Sequence, residues 1–146
     1  MPTRRTVAFA LPAFAALTAL VACSRDDPQA ALEAAVQELQ DALEAKKTGA
    51  VLDLLDEQFR AQDDLDRAWA QRTMTLVFLR YADVKIVAPL RRSRIDADAR
   101  HVGWTEAQVL LTGAQGLLPE RAAPYAVKLQ WRHDGKRWRL FAIEWE

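Results

Sequence analysis

The sequence predicts an α+β domain in which three N-terminal helices pack on a four-stranded antiparallel curved sheet. Three observations support this prediction. Apolar residues recur at helical spacing as far as about Tyr81, and beyond Tyr81 they alternate with polar residues as they do in strands. Near the C-terminal end, Asp134-Gly135 separates two alternating runs, which is typical of a β-hairpin. Helices followed by strands favour the α+β class.

Length and composition are those of one domain with a conventional core. The chain has 146 residues, of which 51% are hydrophobic, and a single cysteine that cannot form an internal disulfide. The 20 basic residues equal the 20 acidic ones in number. Because no excess of positive charge exists, we expect no nucleic acid among the partners.

Residues 1–22 have the pattern of an export signal. Arg4 and Arg5 form a positively charged start, and no charged residue follows from Val7 to Ala22. This apolar run is shorter than the roughly 20 residues of a membrane-spanning helix, and Pro12 interrupts it. We therefore predict a signal peptide. The two arginines leave twin-arginine export open beside the general secretory route.

Leu20-Val21-Ala22-Cys23 resembles the lipobox of bacterial lipoproteins at all four positions. The resemblance implies cleavage before Cys23, a lipid on its thiol, and a lipidated tether over residues 23–28. The membrane would then be a partner through that lipid, because more than one acyl chain makes anchoring stable. Ser24 favours the periplasmic face of the outer membrane over the inner membrane. The alternative is an ordinary secretory signal followed by an unmodified cysteine.

The first helix is predicted to start at Asp27-Pro28, because aspartate caps helices and proline suits their first turn. Gly49 is a typical residue for its end. A shorter second helix would bury four apolar residues, Val51, Leu54, Leu55 and Phe59.

A third helix is predicted from a cap at Asp63 or Asp64 to about Tyr81. Its last turns, from Met74 to Leu79, are apolar nearly all round. We therefore expect that end to be deeply buried.

Four strands are predicted after Tyr81. The first covers residues 84–90 and the second covers 101–111, with a turn over 96–99 between them. A long loop rich in glycine and proline then leads to a hairpin of strands 125–133 and 136–145.

A two-residue loop at Asp134-Gly135 sets the register of this hairpin. It pairs Trp131 with Trp138, Leu129 with Leu140 and Val127 with Ala142. It also pairs Tyr125 with Glu144. These residues would form a nearly apolar face packed on the helices. The opposite face would carry three large apolar side chains, which are candidates for an interface: Phe141, Ile143 and Trp145.

The order of elements resembles the nuclear transport factor 2-like superfamily, a cystatin-like α+β cone. The resemblance covers residues 29–146 and also rests on Phe78-Leu79-Arg80-Tyr81 and on the closing Trp138-Arg139-Leu140 strand. It implies a pocket inside the cone. It also implies a homodimer, since members of the superfamily often associate through the convex side of the sheet. The family includes dehydratases, isomerases, transport factors and binding domains, so the fold assigns no activity.

The proposed pocket lining is mostly aromatic and aliphatic: Trp104, Tyr125, Leu129, Trp131, Trp138, Leu140 and Glu144. Within it, Tyr125 and Glu144 are the one pair able to act as acid and base. Two alternatives stay open: the lining is simply core, and Glu144 is a solvated residue close to the C-terminal end. We assign no catalytic residue.

Neither histidine, His101 or His133, has a serine, cysteine or histidine companion at a recognisable spacing. The chain has no zinc-ligand pattern, and Gly113-x-x-Gly116 is too short to cradle a phosphate. We therefore expect no metal and no cofactor.

Four arginines lie near the predicted turn between the first two strands: Arg91, Arg92, Arg94 and Arg100. They could face anionic lipid or polysaccharide near the anchor. The alternative is a solvated strand face whose charge is balanced by Asp96 and Asp98.

The sequence thus favours a membrane-anchored envelope lipoprotein of unknown process. Its domain would be a non-catalytic scaffold that binds a small apolar ligand or dimerises. A small lyase or isomerase acting in the cone pocket is the alternative, so the question of an enzyme stays open.

Overall fold

The computed structural model describes residues 27–113, 116–117 and 124–146. The signal peptide, Cys23 and the tether as far as residue 26 lie outside the described residues, and so does most of the glycine- and proline-rich loop. Cleavage and lipidation at Cys23 therefore stay predictions.

Three helices precede most of the sheet, as the sequence predicted. They are α1 (Pro28–Glu44), α2 (Thr48–Leu54) and α3 (Arg67–Arg80). A side-chain oxygen of Asp27 accepts the Gln29 N–H at 3.0 Å and caps α1. None of the described helices is long and apolar enough to cross a membrane.

The end of α1 differs from the prediction, because the helix stops five residues before Gly49, which lies inside α2. The N–H of Lys47 donates to Ala42 O at 2.9 Å and that of Lys46 to Leu43 O at 3.1 Å. This is a Schellman ending, in which Lys46 takes the left-handed position (φ 56°) that glycine usually occupies. The Lys46 ammonium then donates to three carbonyl groups beyond it, those of Phe78 (3.2 Å), Tyr81 (3.1 Å) and Ala82 (2.8 Å).

The sheet is mixed and has seven strands, six of them in the order β2-β1-β7-β6-β4-β3 and a short β5 beside β4. The bounds in chain order are β1 (Leu55–Ala61), β2 (Leu65–Asp66), β3 (Val84–Ile95), β4 (Val102–Gly113), β5 (Gly116–Leu117), β6 (Tyr125–His133) and β7 (Trp138–Trp145). The prediction of four antiparallel strands is therefore wrong in detail, although the α+β class with three helices is confirmed.

The three strands that the sequence analysis missed are β1, β2 and the two-residue β5, which lies in the predicted loop. Leu55 and Phe59 were assigned to the second helix, but they belong to β1, which runs parallel to β7. A spacing of four residues fits both a helix face and a strand face, so periodicity alone could not separate the two. Asp63 and Asp64 lie in the turn between β1 and β2, and Asp66 caps α3 by accepting the Trp69 N–H at 2.9 Å.

The C-terminal turns of α3 are not deeply buried. Leu76 is 70% exposed and Leu79 is 83% exposed, whereas Met74 is 8% exposed. The prediction failed because α3 packs with one side against α2, β1, β2 and, through Trp69, Trp145 of β7, while Leu76 and Leu79 lie on the other side.

The hairpin between β6 and β7 has four loop residues, Asp134 to Arg137, and not two. A type I′ turn needs a positive φ at both central residues, and only Gly135 (φ 94°) has one. The Asp134 carboxylate instead accepts the N–H groups of Lys136 (2.8 Å) and Arg137 (2.9 Å). Aspartate thus organises the wider loop through its side chain.

The wider loop and one β-bulge together change the register. His133 pairs with Trp138 and Trp131 pairs with Leu140, two residues away from the predicted register. Between Trp131–Leu140 and Gln130–Ala142, β7 contains one extra residue, Phe141. Because a shift of one residue exchanges the two faces of a strand, every β7 residue after Phe141 lies on the opposite side from the one predicted.

Candidate ligand cavity

A cavity of about 360 Å³ lies between α1 and the concave face of the sheet. Its lining is mainly aliphatic and aromatic, and it comes from α1 and strands β3, β4, β6 and β7. The residues are Val36, Leu39, Gln40, Leu43, Ile86, Ala88, Arg91, Thr105, Ala107, Val109, Leu111, Tyr125, Val127, Leu129, Ile143 and Trp145. A concave, mostly apolar site with a few polar groups is typical of small-molecule binding.

Strand irregularities and small side chains shape this cavity. In β3, Val87 pairs with Leu110 but Leu90 pairs with Gln108, so Ala88 and Pro89 form a bulge. A bulge bends its strand, and proline is tolerated there because it has no N–H for the ladder. Ala107 adds a small side chain to the facing wall, which leaves space beneath α1.

The inner end of the cavity is closed by a hydrogen-bonded group around Thr105. Its side chain is 1% exposed; its hydroxyl lies 2.9 Å from Ser93 Oγ and accepts the indole N–H of Trp131 at 3.1 Å. These bonds satisfy the Thr105 hydroxyl and the Trp131 indole, so this group presents little unpaired polarity to a ligand. At the other end, Leu111 and Tyr125 are 43% and 49% exposed.

Tyr125 and Leu129, which the sequence named as lining residues, do line the cavity. Trp131, Trp138 and Leu140 lie outside the lining and are buried in the core. They fill the part of the concave face beyond Thr105.

Trp104 and Glu144 lie on the convex face, so their assignment to the cone was wrong. Trp104 alternates with the inward residues Gly103 and Thr105, and the Lys128 ammonium lies 4.8 Å from its ring centroid. Glu144 is exposed and pairs with Lys128 across the strands. The predicted Tyr125–Glu144 pair does not form, because Tyr125 and Glu144 lie on opposite faces.

The three interface candidates are also divided between the faces. Ile143 and Trp145 line the cavity, and the Trp145 ring stacks on that of Trp69 at 6.2 Å between centroids. Phe141 stays on the convex face, where the Arg132 guanidinium covers its ring at 3.8 Å. The homodimer remains a prediction, and the apolar patch from which it was inferred is not present.

The lining contains no carboxylate among the described residues, and its ionisable side chains are those of Arg91 and Tyr125. The described part of the chain also holds no cluster of three metal-ligating side chains. His133 accepts the Gly135 N–H through Nδ1 at 3.1 Å and packs edge-on against Trp138, which gives it a role in the hairpin.

Two aspartates outside the cavity have lowered pKa values. Hydrogen bonds from the Asp98 N–H, the Trp104 indole and the Ala99 N–H lower the pKa of Asp96. The Arg139 guanidinium, at 2.7 Å, is the main cause that lowers the pKa of Asp134 far below its usual range; the N–H groups of Arg137 and Lys136 add to it. Both carboxylates stabilise turns of the sheet and do not face the cavity.

Sequence reasoning missed the α1, β3 and β4 walls of the cavity. The inner face of β4 could have been read from alternation alone, since Thr105, Ala107, Val109 and Leu111 are two residues apart. Nothing local indicates that α1 leaves a gap over these residues, because the gap depends on the two bulges.

Neither a protein-family model nor a curated protein matches this sequence. Solved structures do match the structure of this chain. A structure of Bd1075 from Bdellovibrio bacteriovorus superposes with a TM-score of 0.67 at 11% identity, over 79% of this chain and 40% of that one. An NTF2-like protein of unknown function from Pseudomonas putida gives 0.67 at 6% identity, over 81% and 84%.

A third structure, a proposed ketosteroid isomerase from Shewanella frigidimarina, gives a TM-score of 0.62 at 14% identity, over 83% of this chain and 96% of that one. Identities this low show the fold and no more. The described domain therefore has the nuclear transport factor 2-like, cystatin-like fold. This chain spans well under half of the Bdellovibrio structure but most of the other two.

Proposed function

We propose that this chain is a membrane-anchored envelope lipoprotein whose domain binds a small apolar ligand in the cavity under α1. The observation that carries the proposal is the cavity itself, about 360 Å³ with walls that are almost wholly apolar. Pockets of roughly 300–1,000 Å³ are of the size that holds small ligands. The anchoring part of the proposal rests on the lipobox-like Leu20–Cys23 segment.

The alternative, a lyase or isomerase acting in the same cavity, has less support. Proton transfer needs an acid or base within hydrogen-bond reach of the reacting atom. Glu144 was the acidic candidate, and it lies on the convex face. No acidic side chain replaces it among the described lining residues. The Shewanella neighbour does not strengthen this alternative, since only its fold is shared.

Filling the cavity tests the binding proposal. Ala107→Phe would put an aromatic ring into the space under α1, and Ala126→Phe would add the same ring to an exposed position on the convex face. The protein would cover residues 23–146 with Cys23→Ser, and the probe would be the neutral dye Nile red. We expect Ala107→Phe to weaken binding by at least about tenfold, which corresponds to roughly 1.4 kcal/mol. The Ala126→Phe control should bind like the parent.

Equal binding by the parent and both variants would place the dye elsewhere and contradict the proposal. No dye binding by the parent would also contradict it. A thermal melt of each variant distinguishes a filled cavity from a lost fold.

Fractionation of cells tests the anchor. Cys23→Ser should move the protein from the membrane fraction to the soluble fraction, since the thiol that carries the lipid is gone. If the serine variant still sediments with membranes after a salt wash, the anchor lies elsewhere and this part of the proposal fails.

A further inference from the structure

Arg91 is the one side chain of fixed charge among the described residues that line the cavity. It lies on the edge strand β3, where α1 passes over the sheet. Its guanidinium donates to Gln37 Oε1 at 3.1 Å and to Gln40 Oε1 at 3.3 Å. Both acceptors are neutral amides, so they orient the guanidinium without cancelling its charge.

No carboxylate in the described part of the chain forms an ion pair with Arg91. The two ion pairs found there join Arg137 to Glu38 and Arg139 to Asp134. A guanidinium has five N–H donors in a fixed plane, and the two glutamines account for two hydrogen bonds. Donors therefore remain for an anionic group at the edge of the cavity.

Gln40 is itself held in place, which fixes the orientation of Arg91. Its Nε2 donates to Ile86 O at 3.1 Å and to Glu44 Oε1 at 2.8 Å. With both N–H directions used, its oxygen is turned towards Arg91. The cation is thus oriented before any ligand arrives, and a preorganised group loses less entropy on binding.

The neighbouring arginines do not share this position. Arg92 pairs with Glu106 across the strands on the convex face, and Arg94 lies over the Trp104 ring at 5.9 Å. The arginine cluster of the sequence is therefore divided, with Arg91 alone at the cavity. Arg92 becomes a matched control that differs mainly in the face on which it lies.

We propose that the ligand of the cavity is an anionic amphiphile: its apolar body lies among the aliphatic walls and its carboxylate or phosphate head binds Arg91. This inference rests on the proposed ligand-binding function and adds the chemical class of the ligand. A volume of about 360 Å³ accommodates on the order of ten non-hydrogen atoms at about 30 Å³ each. The body is therefore a short chain or one or two rings.

The test compares decanoate, decyl phosphate and neutral decanol by calorimetry on residues 23–146 with Cys23→Ser. We expect the parent protein to bind the better of the two anions at least about tenfold more tightly than decanol. Arg91→Gln should remove this preference by weakening both anions more than decanol, whereas Arg92→Gln should leave all three affinities unchanged. Arg91→Lys keeps the charge and should retain most of the preference. The anion that loses more affinity in Arg91→Gln identifies the head group.

Salt gives a second readout, because an exposed ion pair is screened. The affinity for the anion should fall as sodium chloride rises, and the affinity for decanol should not. Parent protein that binds decanol and both anions equally, or an unchanged preference in Arg91→Gln, would overturn the head-group assignment and leave the proposed function standing. No binding of any probe by the parent would overturn both.

Discussion

The two ends of the space between α1 and the sheet are built from the same face of the same strands, yet one is filled and the other is open. At the closed end, Leu32 is 0% exposed and packs against Gly103, and Trp131, the cross-strand partner of Gly103, is also 0% exposed. At the open end, Ala107 and Val109 of the same strand border a cavity. The difference lies in the size and number of the side chains that contact each part of β4 from across the space.

A small residue on β4 therefore allows close packing at one end of the strand and leaves a cavity at the other. A Cβ at Gly103 would lie 2.8 Å from Leu32 Cδ2 and 3.4 Å from Trp138 Cζ3, so glycine admits large neighbours there. Ala107 has no such neighbours, and its small size leaves empty space. The small residue type alone therefore does not predict whether its position is closely packed or borders a cavity. The side chains that face it across the space decide this.

The largest effect is expected from Trp131→Ala, which removes the indole at the closed end. We expect a loss of about 3–5 kcal/mol in the free energy of unfolding, because the site is fully buried and the Trp131–Thr105 hydrogen bond is lost with it. Ile143→Ala, at the half-buried open end, should cost about 1–2 kcal/mol. Urea titration measures both, and equal losses would show that the two ends are packed alike.

The next effect is expected from Gly103→Ala, since Leu32 must move to admit the new methyl group. Overpacking of this kind costs about 1–3 kcal/mol. Ala107→Val enlarges a residue of the same strand face at the open end and should cost less than about 1 kcal/mol. If Gly103→Ala were as stable as the parent in the same titration, the close approach of Leu32 would not be what requires glycine at this position.

A smaller effect concerns the loop at the closed end and depends on pH. The Arg139 guanidinium lowers the pKa of Asp134, so the folded state holds fewer protons than the unfolded state at acidic pH. This stabilisation is fully present above the usual aspartate pKa of about 4 and is lost as pH falls below it. Asp134→Asn should lower the melting temperature at pH 7. The difference in melting temperature between variant and parent should become smaller below about pH 4. A difference that does not change with pH would show that the ion pair is not its source.

The smallest effect is expected from Glu144→Gln on the convex face. An exposed side chain away from core and caps changes the free energy of unfolding by no more than about 0.5 kcal/mol. Affinity for decanoate or decyl phosphate should not change, because Glu144 does not line the cavity. A clear loss of ligand affinity or of a turnover activity in this variant would favour the enzyme alternative.

The sequence was sufficient for the α+β class and for the resemblance at the level of fold. The helical spacing before Tyr81 and the alternation after it each extend over many residues. The sequence was not sufficient for the β6–β7 register. That register depends on the Asp134 side chain, whose hydrogen bonds stabilise a four-residue loop. It also depends on the bulge at Phe141, which places Ile143 and Trp145 on the concave face. Sequence reasoning also missed β1, whose partner β7 lies about 80 residues further along the chain.

The candidate site was predictable only in part for the same reason. Tyr125 and Leu129 could be named because the extra residue of the bulge is on β7, so the alternation along β6 stays regular. Arg91 was recognised as part of a basic cluster. To separate it from Arg92 and Arg94, one must know which face of β3 each side chain lies on. Cavities arise where elements fail to meet, and such gaps leave no periodic pattern in the sequence.

The side chain of Lys46 couples two segments that flank the cavity. It belongs to the ending of α1, whose Leu43 lines the cavity, and it binds the last carbonyls of α3 and the residues that lead into β3, whose Ile86 lines it too. Helix ends are where local unfolding usually begins. Because Lys46 supplies the donors that the end of α3 lacks, the last turn of α3 cannot unravel without breaking contacts with the α1 ending. Amide protons on the two segments should therefore exchange with solvent as one cooperative unit.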